Sequence, residues 1–250
     1  MILDKPVAAL RERLGRPDVD KALLLTGAVG GVVFIALMVA AGRIYDSVSE
    51  ADGISGLDKP VLEAAIGLRN PTLDLWVTAF TNLGRTLPMV LIAGILTLAL
   101  FLRYRRRTVW VLMVVAAAGS ISFTLVGKAL VGRSRPQLVY AVPPFEESFS
   151  FPSGHTLNSV VVAGMLAYLV CALSARRWLR VVAVVTAALW GLGMGLSRVY
   201  LGHHWLTDVT FAWLLGLGWL ALLITVHRVL RRLRDDPRPR PAPISLRRGD

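Results

Sequence analysis

Residues 152–175 read PSGHTLNSVVVAGMLAYLVCALSA. After His155, twenty consecutive residues (156–175) carry no charge, and apolar side chains recur at every angle around a 3.6-residue turn. A water-soluble helix would show a polar stripe at that period. At about 1.5 Å per residue the run spans about 30 Å, the thickness of a bilayer's hydrocarbon. It therefore reads as a transmembrane helix, and the four residues before it stand at a membrane face.

Five further charge-free runs lie at 22–42, 86–102, 108–127, 181–197 and 209–226, each of 17–21 residues. The composition agrees. In 250 residues 55% are hydrophobic and 18% charged, with a mean hydropathy of +0.60, against about 25% charged in soluble domains. The expected fold is all-α, an integral-membrane bundle of six transmembrane helices. The single cysteine, Cys171, sits inside an apolar run, so neither an intrachain disulfide nor a thiolate cluster is available.

Of the 28 cations, twenty fall in the N-terminal arm, the 103–107 and 176–180 connections and the segment after Thr225. Those four segments share one side of a six-span topology, which the bias of Lys and Arg marks as the cytoplasm. Contact with anionic lipid explains such clusters, and no nucleic-acid motif accompanies them. Arg43, Lys59, Arg69, Arg85, Lys128, Arg133, Arg135 and Arg198 fall on the outer side. The expected organisation is a cytoplasmic basic arm (1–21), a six-helix domain (22–227) with an extracytoplasmic segment (43–85), and a Pro- and Arg-rich disordered cytoplasmic tail (228–250). The first run, too long for a cleaved leader, reads as an uncleaved anchor. Within 43–85, residues 61–68 and 73–80 read as short interfacial helices broken at Asn70-Pro71.

Three sets of polar residues stand at the ends of these runs: Lys128 with Arg135-Pro136, Pro152-Ser153-Gly154-His155, and Ser197-Arg198 with His204 and Asp208. Titratable groups so near a membrane core mark a functional site. Arg135 and Arg198 offer planar forks and Lys128 a point charge to phosphate oxygens. Ser153 is of helix-capping type, and Gly154 would allow a ligand close to the backbone at a helix N-terminus. His204 and Asp208, four apart, would share a helix face. The carboxylate would then fix the imidazole tautomer and leave one ring nitrogen to act as nucleophile. His203, turned about 100° away, reads as interfacial or supporting, while Glu146 and Glu147 read as solvated loop charges.

The spacing Lys128-x6-Arg135-Pro136, the tetrapeptide 152–155 and Ser197-Arg198-x5-His204-x3-Asp208 resemble the type-2 phosphatidic acid phosphatase family, which includes bacterial membrane lipid phosphatases and vanadium-dependent haloperoxidases. All three motifs, over residues 128–208, match without departure. The resemblance implies a phosphohydrolase that needs no metal or other cofactor. His204 would form a phosphohistidine, Asp208 would orient it, and His155 would protonate the leaving oxygen and later activate water. Lys128, Arg135, Ser153, Gly154 and Arg198 would hold the phosphoryl oxygens.

The implied substrate is a membrane lipid phosphate or diphosphate, with a polyprenyl diphosphate such as undecaprenyl diphosphate favoured. Phosphatidylglycerol phosphate and phosphatidic acid are the alternatives. A lipid phosphotransferase of the same family also remains open, as does an anion transporter or channel. No obligate protein partner and no nucleic acid are expected. The expected location is the bacterial inner membrane, with both termini cytoplasmic and the site facing outward.

Overall fold

A computed structural model of the protein describes residues 21–235. The expected arm lies outside the described residues except for Lys21, as does the expected tail beyond Asp235.

Among the described residues there are eight helices: α1 (Lys21–Glu50), α2 (Asp58–Gly67), α3 (Pro71–Asn82), α4 (Thr86–Tyr104), α5 (Thr108–Val131), α6 (Gly154–Leu173), α7 (Arg177–Tyr200) and α8 (Leu206–Asp235), with short 3₁₀ turns at Gly53–Leu57 and Leu138–Tyr140. Six of them, α1 and α4–α8, are long and apolar enough to cross a membrane. The protein is a multi-pass helical membrane protein, as its charge-free runs indicate.

The helices outrun those runs. α1 continues through Arg43 and Asp46 to Glu50, and α8 continues through Arg228 and Arg234 to Asp235. Charged residues at a helix end reach headgroups and water, so they need not stop a helix that enters the interface. Residues 228–235, expected in the disordered tail, therefore extend the last helix.

α6, the helix on which the fold reading rests, is the central one. It packs against α4, α5, α7 and α8, while α1 lies along α8. Its Leu157, Val161 and Met165 are buried with Val109 and Ala116 of α5 and Ala212 of α8. Small residues such as Ala116 and Ala212 let these backbones approach, and indole donors tie them together. Trp213 donates to the Gly191 carbonyl at 2.9 Å, and Trp219 to that of Ala116 at 3.2 Å. The outward faces of α1, α4 and α5 are lined with exposed Leu, Val and Ile, the surface that lipid would cover.

Two shorter helices cross the segment between α1 and α4, where interfacial helices were expected. Asn70 caps α3, its Oδ1 accepting from the Leu73 N–H at 2.9 Å, and Pro71 occupies the first helical position. Arg69, between the two helices, donates to the carbonyls of Tyr140 and Tyr200. This ties the segment to the end of the bundle that carries the motifs.

Candidate active site

Helix ends bring the three motifs together. Lys128 lies in the last turn of α5, which closes at Gly132, where a φ of +61° lets the N–H reach the Lys128 carbonyl at 3.1 Å. The chain passes through Arg133 and Arg135 into the loop 137–153, and α6 starts at Gly154. α7 ends just beyond Ser197 and Arg198. A tight turn over 201–205 then delivers His204 to the start of α8. Gly202 makes that turn possible. Its φ is +70°, and a Cβ there would sit 2.2 Å from the Tyr140 carbonyl oxygen.

His204 precedes α8 rather than sharing its face with Asp208, which corrects the reading from a four-residue helical spacing. Asp208 in the first turn of α8 reaches back, its Oδ2 accepting from the Trp205 N–H at 2.9 Å. That is half of a capping box, and the same oxygen lies 3.3 Å from His204 Nδ1. On the other side of the ring, Nε2 is 3.1 Å from Arg135 Nη1. A guanidinium can only donate, so Nε2 accepts and the proton belongs on Nδ1, facing Asp208. Burial, joined by Arg135 and Arg198, holds the His204 pKa well below the usual histidine range. The imidazole is therefore neutral at physiological pH, with its lone pair aimed at the cations.

Those cations converge. Arg198 is only 2% exposed and donates to Thr81 Oγ1 at 3.1 Å and to Glu146. Arg135 donates to the His203 carbonyl at 2.7 Å, the Ser148 carbonyl at 2.6 Å and Glu146 Oε2 at 3.1 Å. Lys128 donates to Ser148 Oγ at 2.9 Å and to the Phe149 carbonyl.

Glu146 is thus no solvated loop charge. Its carboxylate bridges Arg198 and Arg135 and lies 3.7 Å from His155 Nδ1. Burial would push its pKa up, but Arg198, His155 and Arg135 outweigh burial and hold it down at about 2. Glu147, next to it, is exposed as expected.

The 152–155 motif departs in detail from its expected roles. Ser153 occupies the N-cap position of α6, but its side chain makes no capping bond to the backbone, and its Oγ pairs with Thr156 Oγ1 at 2.9 Å. At Gly154 a Cβ would meet Thr124 Cγ2 at 2.9 Å, so the glycine is needed for packing against α5. His155 has a buried Nε2 without a hydrogen-bond partner. His203 is buried, its Nε2 on the Val142 carbonyl at 2.7 Å, which fits the supporting role read from sequence. An open cavity of ≈350 Å³ lies beside the cluster, lined in part by Arg135, Pro136, Phe145, Glu146, Phe149 and His203.

Three further residues join the site unannounced by the motifs. Ser150 donates to Asp208 Oδ2, and Arg133 donates to Asp208 Oδ1 at 2.6 Å and to Asp58 Oδ2 at 2.7 Å. Arg133, two residues before Arg135 in the same short turn, could have been suspected from its position. Asp58 and Ser150 could not, since nothing in their local sequence points to a partner so far along the chain. Among the described residues no three His, Cys, Asp or Glu side chains gather as metal ligands.

Phosphatidylglycerophosphatase B of Bacillus subtilis is 30% identical over 211 residues, covering 81% of this chain and 97% of the relative. An undecaprenyl-diphosphatase of Sulfolobus acidocaldarius is 32% identical over 130 residues, half of this chain and 58% of that protein. The crystal structure of the transmembrane PAP2-type phosphatidylglycerolphosphate phosphatase from Bacillus subtilis superposes with a TM-score of 0.66 at 28% identity, over 80% of this chain and 96% of that one. Aquifex aeolicus LpxE shares the fold, with a TM-score of 0.50 at 23% identity over 66% of this chain and 94% of that one. The PAP2 superfamily pattern itself matches residues 107–232, a span that contains all three motifs and ends within α8; the chain belongs to the PAP2 superfamily.

Proposed function

We propose that this protein is an integral-membrane lipid phosphatase working through a phosphohistidine on His204. The observation that carries the reading is the buried His204, with Nδ1 3.3 Å from Asp208 and Nε2 3.1 Å from Arg135. Nε2 attacks phosphorus, and the bond from phosphorus to the lipid's oxygen breaks. His155, in its protonated form, gives that oxygen a proton. A water molecule then loses a proton to His155 and attacks the phosphoryl group, releasing phosphate and restoring neutral His204.

Arg135, Arg198 and Lys128 stabilise the charge on the equatorial oxygens, with the α6 N-terminus at Ser153 and Gly154 contributing backbone donors. The Glu146 carboxylate marks the seat of the phosphate, because it already occupies the point where Arg135, Arg198 and His155 converge. Cations meet here where a magnesium site would need carboxylates, so activity is expected to survive EDTA.

The substrate is a lipid phosphate or diphosphate. Exposed Leu138, Val139, Phe145 and Phe149 around the cluster suit approach from a lipid surface. Of the headgroups weighed from sequence, the relatives' names support phosphatidylglycerol phosphate as well as undecaprenyl diphosphate. The positive-inside bias supports a cytoplasmic-membrane location with both termini inside and the site outside.

Phosphate release from purified protein against a panel of phosphatidylglycerol phosphate, phosphatidic acid and polyprenyl diphosphate tests the chemistry and ranks the substrates. Hydrolysis of at least one is expected. Transfer to a lipid acceptor without phosphate release would make the protein a transferase, and no turnover at all would favour anion transport. Cysteines placed in the loop 137–151 should react in intact cells with an impermeant thiol reagent, and those at 103–107 only after lysis. The reverse pattern would invert the topology.

A further inference from the structure

Asp58 opens α2, outside all three motifs, and is only 3% exposed. Its carboxylate accepts three hydrogen bonds: the Thr207 N–H at 2.9 Å, Thr207 Oγ1 at 2.7 Å and Arg133 Nη2 at 2.7 Å. The other arm of that guanidinium, Nη1, donates to Asp208 Oδ1 at 2.6 Å and to Thr207 Oγ1 at 2.8 Å. One arginine therefore spans two buried carboxylates, one on α2 and one at the start of α8. Its guanidinium also lies 5.7 Å from the centre of the Trp205 ring.

An ion pair this buried is costly unless every lone pair is satisfied, and here almost every one is. Satisfaction alone does not explain why a second acid is present. Arg133 paired only with Asp208 would cancel most of the negative charge that holds the His204 Nδ1–H. With Asp58 present, the guanidinium charge is divided, and the group of three carries one net negative charge beside His204. The remaining charged groups about His204 are Arg135 and Glu146 from the loop, Arg198 from α7 and Lys128 from α5, with His203 adjacent in the turn. Four of these five are fixed cations or a paired acid beside the phosphate seat. Asp208 and its partners form the opposing, negative side.

We propose that Asp58 and Arg133 are positioning residues that set the charge on Asp208, and through it the basicity of His204. The inference rests on the assignment of His204 as nucleophile. Neutralising Asp58 leaves Arg133 to Asp208 alone, so imidazolium at position 204 is less favoured and His204 stays neutral to lower pH. Neutralising Arg133 does the opposite, because two carboxylates then act on the ring without the intervening cation. Coulomb interactions at these separations make shifts of about half a pH unit or more reasonable.

The test is the pH dependence of kcat/KM for a lipid phosphate monoester, measured on the full-length protein in detergent. Relative to the unsubstituted protein, Asp58→Asn is expected to move the acidic limb to lower pH and Arg133→Gln to higher pH. Both should lower kcat more than they raise KM, since neither residue touches the phosphate seat. A loss of activity in both variants with the limb unmoved would mean that the pair is only a brace, and the inference would be wrong. If either variant does not accumulate, Arg133→Lys serves in its place. A lysine keeps the charge but engages one carboxylate at a time, so a restored limb with reduced kcat is expected, and a limb shifted as far as in a charge-free substitution would overturn the proposal. His204→Ala is measured in parallel. Turnover retained there would remove the nucleophile assignment itself, whereas an inactive His204→Ala beside unmoved limbs removes only the role of Asp58 and Arg133.

Discussion

The two ends of the bundle are both rich in arginine, and they use it differently. At one end Arg103, in the last turn of α4, and Arg105, Arg106 and Arg107, between α4 and α5, stand exposed, with the Arg103 guanidinium 5.3 Å from the centre of the Tyr104 ring. At the other, Arg198 is buried, and the side chains of Arg133 and Arg135 are 19% and 12% exposed, each shared among several acceptors. An exposed cation beside a membrane reports topology and lipid contact. A desolvated one, held by carbonyls and carboxylates, is costly to bury and is kept in place by what it binds. Motif spacing already separates Arg135 and Arg198 from the 103–107 cluster, and burial supplies the physical difference between them.

Substituting one arginine from each end should expose that difference most strongly. Arg198→Met is expected to lower kcat/KM by about 10²-fold or more, on the scale of losing one preorganised donor to a developing anion. Arg106→Met should stay within about two-fold, as surface changes generally do. Phosphate release at subsaturating lipid measures both, and equal losses would dissolve the contrast.

The acid inside the cation cluster gives a smaller, signed effect. Glu146→Gln removes a resident competitor for the phosphate seat, so orthovanadate should inhibit at concentrations several-fold lower. Weaker vanadate inhibition would mean that Glu146 helps to build the seat rather than fill it. The same residue carries a pH signature. Its pKa is held down at about 2 from an ordinary 4.5, so its ion pairs contribute stability present above pH 4.5 and lost as pH falls toward 2. The thermal midpoint in detergent should fall over that interval by more in the unsubstituted protein than in Glu146→Gln.

The smallest effect concerns the exposed end. Arg105 caps α4 in the left-handed region, with φ at +52°, a conformation that glycine adopts without strain. Arg105→Gly is expected to raise stability by up to about 1 kcal/mol and to leave turnover unchanged. A fall in the thermal midpoint would show that this exposed arginine does more than mark a membrane face.

How far the sequence could be read follows the same division. Charge-free runs exposed all six spans because hydrocarbon tolerates no exception over that depth. The helices run on past those runs, through Arg43, Asp46 and Arg228, because the interface accepts charged residues inside a helix. The motif residues were legible through their spacing, and Lys128, Arg135, Arg198, His204 and Asp208 do meet. His204 was placed on a helix because a four-residue interval fits one, whereas a turn at Gly202 followed by a side-chain cap from Asp208 gives the same proximity. Glu146 looked like any loop acid, and Asp58 like any helix start. Their partners lie across the fold, where local pattern carries no information.

The central claim is that His204 Nε2 takes the phosphoryl group in a site assembled from buried cations. Rapid acid-free quenching of the protein with a lipid phosphate, followed by peptide mass spectrometry, tests it most directly. One acid-labile phosphoryl group on the peptide containing His204 is expected, accumulating further in His155→Ala, where breakdown is slowed, and absent in His204→Ala. Phosphate release by a folded His204→Ala variant, or a phosphoryl group found on any other residue, would contradict the account.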